Sequence, residues 1–121
     1  MKAWRTIDIL QQMLDEQVSF QARIPFWNET TPEVDRLEYN ATQLMVEAAE
    51  VMQSLPWKKH KNNHHQPLTE EQREKVIEEM VDTLIFVLNG FLIAGCTRSK
   101  DIMNAFNRKY NVNVKRQESN Y

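Results

Sequence analysis

The chain is poor in residues that break or cross-link a fold. It holds two glycines, four prolines and one cysteine in 121 residues. A single cysteine, Cys96, excludes an internal disulfide and fits a reducing compartment. No Asn-Gly or Asp-Gly pair is present to turn a β-hairpin, and no segment sustains a two-residue alternation. Long apolar runs are missing too. The longest, "TLIFVLNGFLIAG", falls short of the about 20 residues that a membrane-spanning helix needs. "MKAWRTIDILQQ" mixes polar and apolar positions from the start, unlike a secretory signal. Charge of one sign is also lacking: the formal net charge is −2, so no global field draws the chain to nucleic acid or an acidic membrane. These absences predict one soluble, cytoplasmic, all-α domain over residues 1–121, with neither nucleic acid nor membrane as partner.

What is present is helical periodicity. Hydrophobic residues make up 41% of the chain, enough for one small core. Ile7, Leu10, Met13, Leu14 and Val18 predict a helix from about Thr6 to Arg23, ended by Pro25. A second starts near Thr30, with Pro32 in its first turn and Glu33 placed for a capping box, and ends near Leu55. Its apolar stripe is Leu44, Ala48, Val51, Met52 and Leu55. A third runs from Thr69, capped with Gln72, to about Ala94, where Gly95 stops it. Ser99 is the expected cap of a fourth, ending near Tyr110, and "NVNVKRQESNY" after it has no clear periodicity. The expected architecture is a four- to five-helix bundle. The second half of helix three is apolar all round, so that helix is central. In so small a domain the other helices can barely cover it, which predicts a dimer or higher oligomer, a homodimer or homotetramer.

Acidic residues fall at telling places. Glu47 and Glu50 lie three apart on helix two, and Glu79 and Asp82 lie three apart on helix three, so each pair shares a helix face. Both pairs border apolar stripes. If helices two and three pack antiparallel, four acids converge at the edge of the core, and a counter-charge must offset their repulsion. A single Glu-x-x-Glu pair is most often a solvated face; two such pairs beside apolar stripes point further. An all-oxygen set suits magnesium, manganese or calcium rather than zinc. A di-iron bundle uses Glu-x-x-His pairs, which are missing from these two motifs.

Carboxylate-held magnesium often also holds substrate phosphates. The cations for that purpose are Lys58, Lys59 and Lys61 in the loop "PWKKHKNNHHQP", and Lys109, Lys115 and Arg116 near the C-terminus. Asn113 and Tyr121 add neutral hydrogen-bonders. The same residues also read as ordinary surface charge. Trp57 is either a core residue or a platform for a nucleobase. His60, His64 and His65 belong to a polar linker more readily than to a transition-metal site.

Glu47-x-x-Glu50, then "PWKKH", then Glu79-x-x-Asp82 followed by Phe86, resemble the motifs of the all-α nucleoside triphosphate pyrophosphohydrolases. That superfamily includes the MazG-type enzymes and the dimeric dUTPases. "MLDEQVSF", with Gln17, is similar to the dUTPase family's first motif. "FNRKYNVNVKRQESNY" resembles its ending, with Lys109, Asn113, Arg116, Gln117 and Tyr121 at the family's intervals. The resemblance implies Mg²⁺-dependent hydrolysis of dUTP to dUMP and pyrophosphate. Glu47, Glu50, Glu79 and Asp82 would hold two or more Mg²⁺ ions, with Mn²⁺ as a substitute, and Glu47 would accept the water's proton. Lys58, Lys109, Asn113, Arg116 and Tyr121 would contact phosphates, with 111–121 as a substrate-binding tail. Gln17, Gln21, Trp57 and Asn89 would line the nucleoside pocket. Three positions depart from the family pattern: Gln21 where Asn is frequent, Ile85 where His is frequent, and Asn120 where Gly precedes the last tyrosine. Gln21 leaves the base open, so dCTP or a noncanonical nucleotide is an alternative substrate. A helical protein-binding module is the non-enzymatic alternative.

Overall fold

The computed structural model describes residues 8–23, 31–58, 60–61 and 65–119. They form four helices: α1 (Ile9–Gln21), α2 (Glu33–Gln53), α3 (Glu70–Ile93) and α4 (Ser99–Glu118). No strand occurs among the described residues. The all-α bundle-like class expected from periodicity is what forms, with four helices.

Helix ends follow local chemistry. The Asp8 side chain accepts from the Gln11 amide at 2.9 Å and caps α1. The helix therefore begins at Ile9, and the expected start, Thr6, lies outside the described residues. At α3 the capping box is complete. The Thr69 hydroxyl accepts from Gln72 N at 3.1 Å, and the Gln72 side chain accepts from Thr69 N at 2.8 Å. Gly95 adopts φ 88°, the left-handed conformation that glycine tolerates best. Its N–H donates to Leu92 O and the Cys96 N–H to Phe91 O, the paired bonds of a Schellman ending.

Three expectations need correction. Helix α2 begins at Glu33, with Pro32 at the cap position and no side-chain cap; Thr30 lies outside the described residues. Ser99 is the first residue of α4 rather than its cap. The segment after Tyr110 is not irregular: α4 continues through Glu118. Residues 111–118 contain no glycine or proline to stop it, and Lys115 and Arg116 suit the negative end of the helix dipole.

Gln11 of α1 does what Ser99 does not. Its carbonyl oxygen accepts from Ser99 N at 2.8 Å and so caps α4 from a distance. Its amide donates to Thr97 O at 3.0 Å and to Asp15 at 2.9 Å. Ser99 in turn donates its hydroxyl to Asp8, which lowers the Asp8 pKa. The beginnings of α1 and α4 are thus fastened together.

Helix α3 is central as expected, with α1 and α2 both packed on it and α4 packed on α1. Residues 8 and 11 meet the segment after α3, while Gln17 meets Asn89 further back along it, so α1 runs antiparallel to α3. Asn40 meets Phe86 and Glu47 lies close to Glu79, so α2 is antiparallel to α3 as well. Among the described residues Leu14, Leu88 and Ile93 are the buried hydrophobic ones. The expected α2 stripe is only partly used. Leu44, Val51 and Leu55 are half-buried, whereas Ala48 and Met52 are exposed in the single chain.

Gly90 lets α2 and α3 approach. A Cβ added there would sit 3.1 Å from Asn40 Nδ2. Asn40 cannot easily yield, because it is 4% exposed and donates to Phe86 O at 2.8 Å. Alanine is the better helix former by about 1 kcal/mol, but overpacking typically costs about 1–3 kcal/mol. Gly90→Ala is therefore expected to lower stability in urea unfolding; a stabilised variant would show that Asn40 moves aside.

Candidate metal and nucleotide site

The antiparallel packing of α2 and α3 has a chemical consequence. One carboxylate oxygen each from Glu47, Glu50 and Glu79 come within 4.8 Å of one another. Glu79 is buried at 8% exposure, and Glu47 and Glu50 are half-buried. Glu47 Oε2 and Glu79 Oε2 are shut off from solvent and have no hydrogen-bond partner among the described residues. A buried carboxylate oxygen without a donor is costly, so these two atoms ask for a cation.

Three of the four expected acids converge. Asp82 is exposed and stands outside the cluster. It remains near enough for its charge to act on Glu47. Burial raises the Glu47 pKa above its ordinary 4.5. The contact with the Glu50 carboxyl and the charges of Glu50, Asp82 and Glu79 push the same way. Lys75 Nζ lies 2.8 Å from Glu79 Oε1, one turn away on α3. That pairing raises the lysine's own pKa.

The residues expected around a nucleoside divide. Gln17 Nε2 donates to Asn89 Oδ1 at 2.8 Å, tying α1 to α3. Asn89 is buried at 4% exposure. Gln21 lies one turn beyond Gln17, and its Nε2 is a buried donor with no partner among the described residues. Beside Gln17 an apolar cleft of about 330 Å³ opens between α1 and α3, bordered by Met13, Val81, Leu84, Ile85 and Leu88. Trp57 is half exposed, and the Lys58 ammonium stands 5.7 Å from its ring centroid. The pair makes a cation–π contact at the start of the loop.

Lys109, Asn113 and Arg116 are exposed on α4. Their spacing of four and three residues sets all of them on one helix face, an arrangement hidden while the segment read as aperiodic. Tyr121, Lys59 and His64 lie outside the described residues. Two participants were missed in the sequence. Lys75 was findable, since it stands four residues before Glu79, the spacing of a helical ion pair. Asn40 carried a fainter signal, a polar residue seven before Glu47 and hence on the same face of α2.

The cluster predicts a pH effect. In the folded chain Glu47 holds its proton to higher pH than in the unfolded chain. Its contribution to stability is full below the ordinary carboxylate range and is lost as pH rises through the raised value. In EDTA at neutral pH, Glu47→Gln should therefore melt higher than the unmodified chain. Thermal unfolding from about pH 4 to about pH 8 should show the gap closing towards acid.

A family model described as dUTPase matches residues 3–100. The match takes in α1, α2 and α3 and stops just inside α4, so Lys109, Asn113 and Arg116 lie beyond it. No curated protein and no solved structure matches the chain.

Proposed function

Since the chain belongs to the dUTPase family and is thereby a nucleoside triphosphate diphosphatase, we propose that it hydrolyses dUTP to dUMP and pyrophosphate with Mg²⁺. The observation that carries the metal reading is the pair of buried, unpartnered oxygens, Glu47 Oε2 and Glu79 Oε2, inside a three-carboxylate cluster. Oxygen-only donors suit a hard divalent cation, and Mn²⁺ would substitute. Glu47, Glu50 and Glu79 would hold two or more ions, with Asp82 joining from the rim. When bound, the ions neutralise triphosphate charge and lower the pKa of a water.

Other steps belong to the chain's own residues. Glu47 accepts the attacking water's proton at its carboxylate. Lys109, Asn113 and Arg116, on one face of α4, bind phosphate oxygens, with Tyr121 beyond them and Lys58 from the loop. Gln17, Gln21, Asn89 and Trp57 form the nucleoside pocket. The Gln17–Asn89 bond supports this reading, since it fixes the Gln17 amide and leaves its carbonyl oxygen to accept from a base. The buried Gln21 Nε2 is a donor awaiting a carbonyl such as those of uracil.

Gln21 also favours a second reading. An amide carries both a donor and an acceptor, so it serves cytosine as readily as uracil. A dCTP or noncanonical nucleotide pyrophosphohydrolase would use the same carboxylates.

A second copy of the chain completes the molecule in this proposal, as a homodimer or homotetramer. Ile77, Met80, Val81 and Leu84 are all exposed, and their spacing makes a continuous apolar stripe on α3. Among the described residues no helix is long and apolar enough to cross a membrane.

The test is pyrophosphate release from dUTP, dCTP, dTTP, dATP, dGTP and UTP, with Mg²⁺ and with EDTA. Release from dUTP alone, abolished by EDTA, is expected. Release chiefly from dCTP or from several nucleotides favours the second reading. Glu47→Gln should lower kcat by about 10²–10⁴-fold. Asp82→Ala should lose activity while circular dichroism shows the helices intact. An active Asp82→Ala variant would remove Asp82 from the site. Asn89→Leu should raise KM more than it lowers kcat.

A further inference from the structure

Lys75 sits at the carboxylate cluster, yet the reaction gives it no task. Its ammonium lies 2.8 Å from Glu79 Oε1, and the two partners differ in setting. The lysine side chain is 58% exposed, the glutamate side chain 10%. Glu79 buries its other oxygen, Oε2, without a partner among the described residues. One carboxylate oxygen of Glu79 lies within 4.8 Å of one from each of Glu47 and Glu50.

Three carboxylates this close repel one another. A lysine at the rim offsets part of that repulsion at little cost, because its ammonium stays largely hydrated. Its hold is also weak. Exposed ion pairs are worth little, and the four-carbon stem can swing back into water. A divalent cation carries twice the charge and takes several oxygens at once. For the shared carboxylate it outcompetes a single rim ammonium.

We propose that Lys75 is a built-in counter-charge for the carboxylate site: it holds Glu79 while no divalent cation is bound and competes with the cation that arrives. The proposal rests on the cation reading given above. It makes Lys75 a positioning residue for Glu79, not a catalytic one. Its consequence is a site that is stable when empty and deliberately modest in cation affinity. Such a site fills chiefly when a triphosphate adds its own negative charge, so cation and nucleotide bind together. An unopposed carboxylate cluster would hold its ions whether or not substrate was present.

The experiment measures Mn²⁺ binding by calorimetry without nucleotide, together with melting in EDTA and in saturating Mn²⁺. Lys75→Met is expected to bind Mn²⁺ several-fold to about tenfold more tightly than the unmodified chain. It should melt lower in EDTA, and Mn²⁺ should raise its melting temperature by more. Lys75→Arg, which keeps the charge, should behave like the unmodified chain. Lys75→Gln serves as a second neutral variant should the methionine disturb folding. Equal or weaker Mn²⁺ affinity in both neutral variants would overturn the proposal and leave the cation reading standing. No Mn²⁺ binding by the unmodified chain or by either neutral variant would overturn both.

Discussion

Like charges forced together at a helix crossing govern this molecule. Glu47, Glu50 and Glu79 approach because α2 and α3 run antiparallel with Asn40 and Gly90 in close contact. The close approach at Gly90 and the acidic cluster are two levels of one interface, about two turns apart on α2 and about three on α3. Packing at the first level brings the carboxylates together at the second. The core is therefore set against the site: apolar burial and backbone contact hold closed what electrostatics would open. Lys75 relieves some of that opposition from outside. The rest stays with Glu47 Oε2 and Glu79 Oε2, buried oxygens without a hydrogen-bond partner among the described residues.

Much of this was legible in the chain. Helix count, the central position of α3 and the Thr69–Gln72 box followed from periodicity and capping chemistry, which are local and short-range. The carboxylate pairs were legible because i,i+3 spacing is itself a structural statement. Their meeting was conditional on antiparallel packing, and that condition is met for Glu47, Glu50 and Glu79. Asp82 is different. It lies on the same side of α3 as Glu79, but its angular offset along the helix turns it towards solvent in the single chain. Spacing alone does not resolve an offset of that size.

The misreadings share a physical cause. The stretch 111–118 looked irregular because its apolar positions are few, and periodicity sees only apolar positions. Polar helices leave no stripe, and this one is carried by backbone bonding and its last-turn cations. Ser99 looked like a cap because capping was sought nearby in sequence. The cap came from Gln11, 88 residues away, which no local rule can find. Ala48 and Met52 looked buried because a stripe says which face is apolar, not whether one chain supplies enough partners to cover it.

That remote cap has a mechanical meaning. Helix α4 is about 30 Å long, from 20 residues at 1.5 Å each, and it is pinned at its first turn to the beginning of α1. A rod held at one end magnifies small rotations: about 10° at the joint carries the far end through about 5 Å. Lys109, Asn113 and Arg116 ride on the outer half of that rod. Their reach is thus governed by a knot of hydrogen bonds among Asp8, Gln11 and Ser99, far along the chain from the groups it aims.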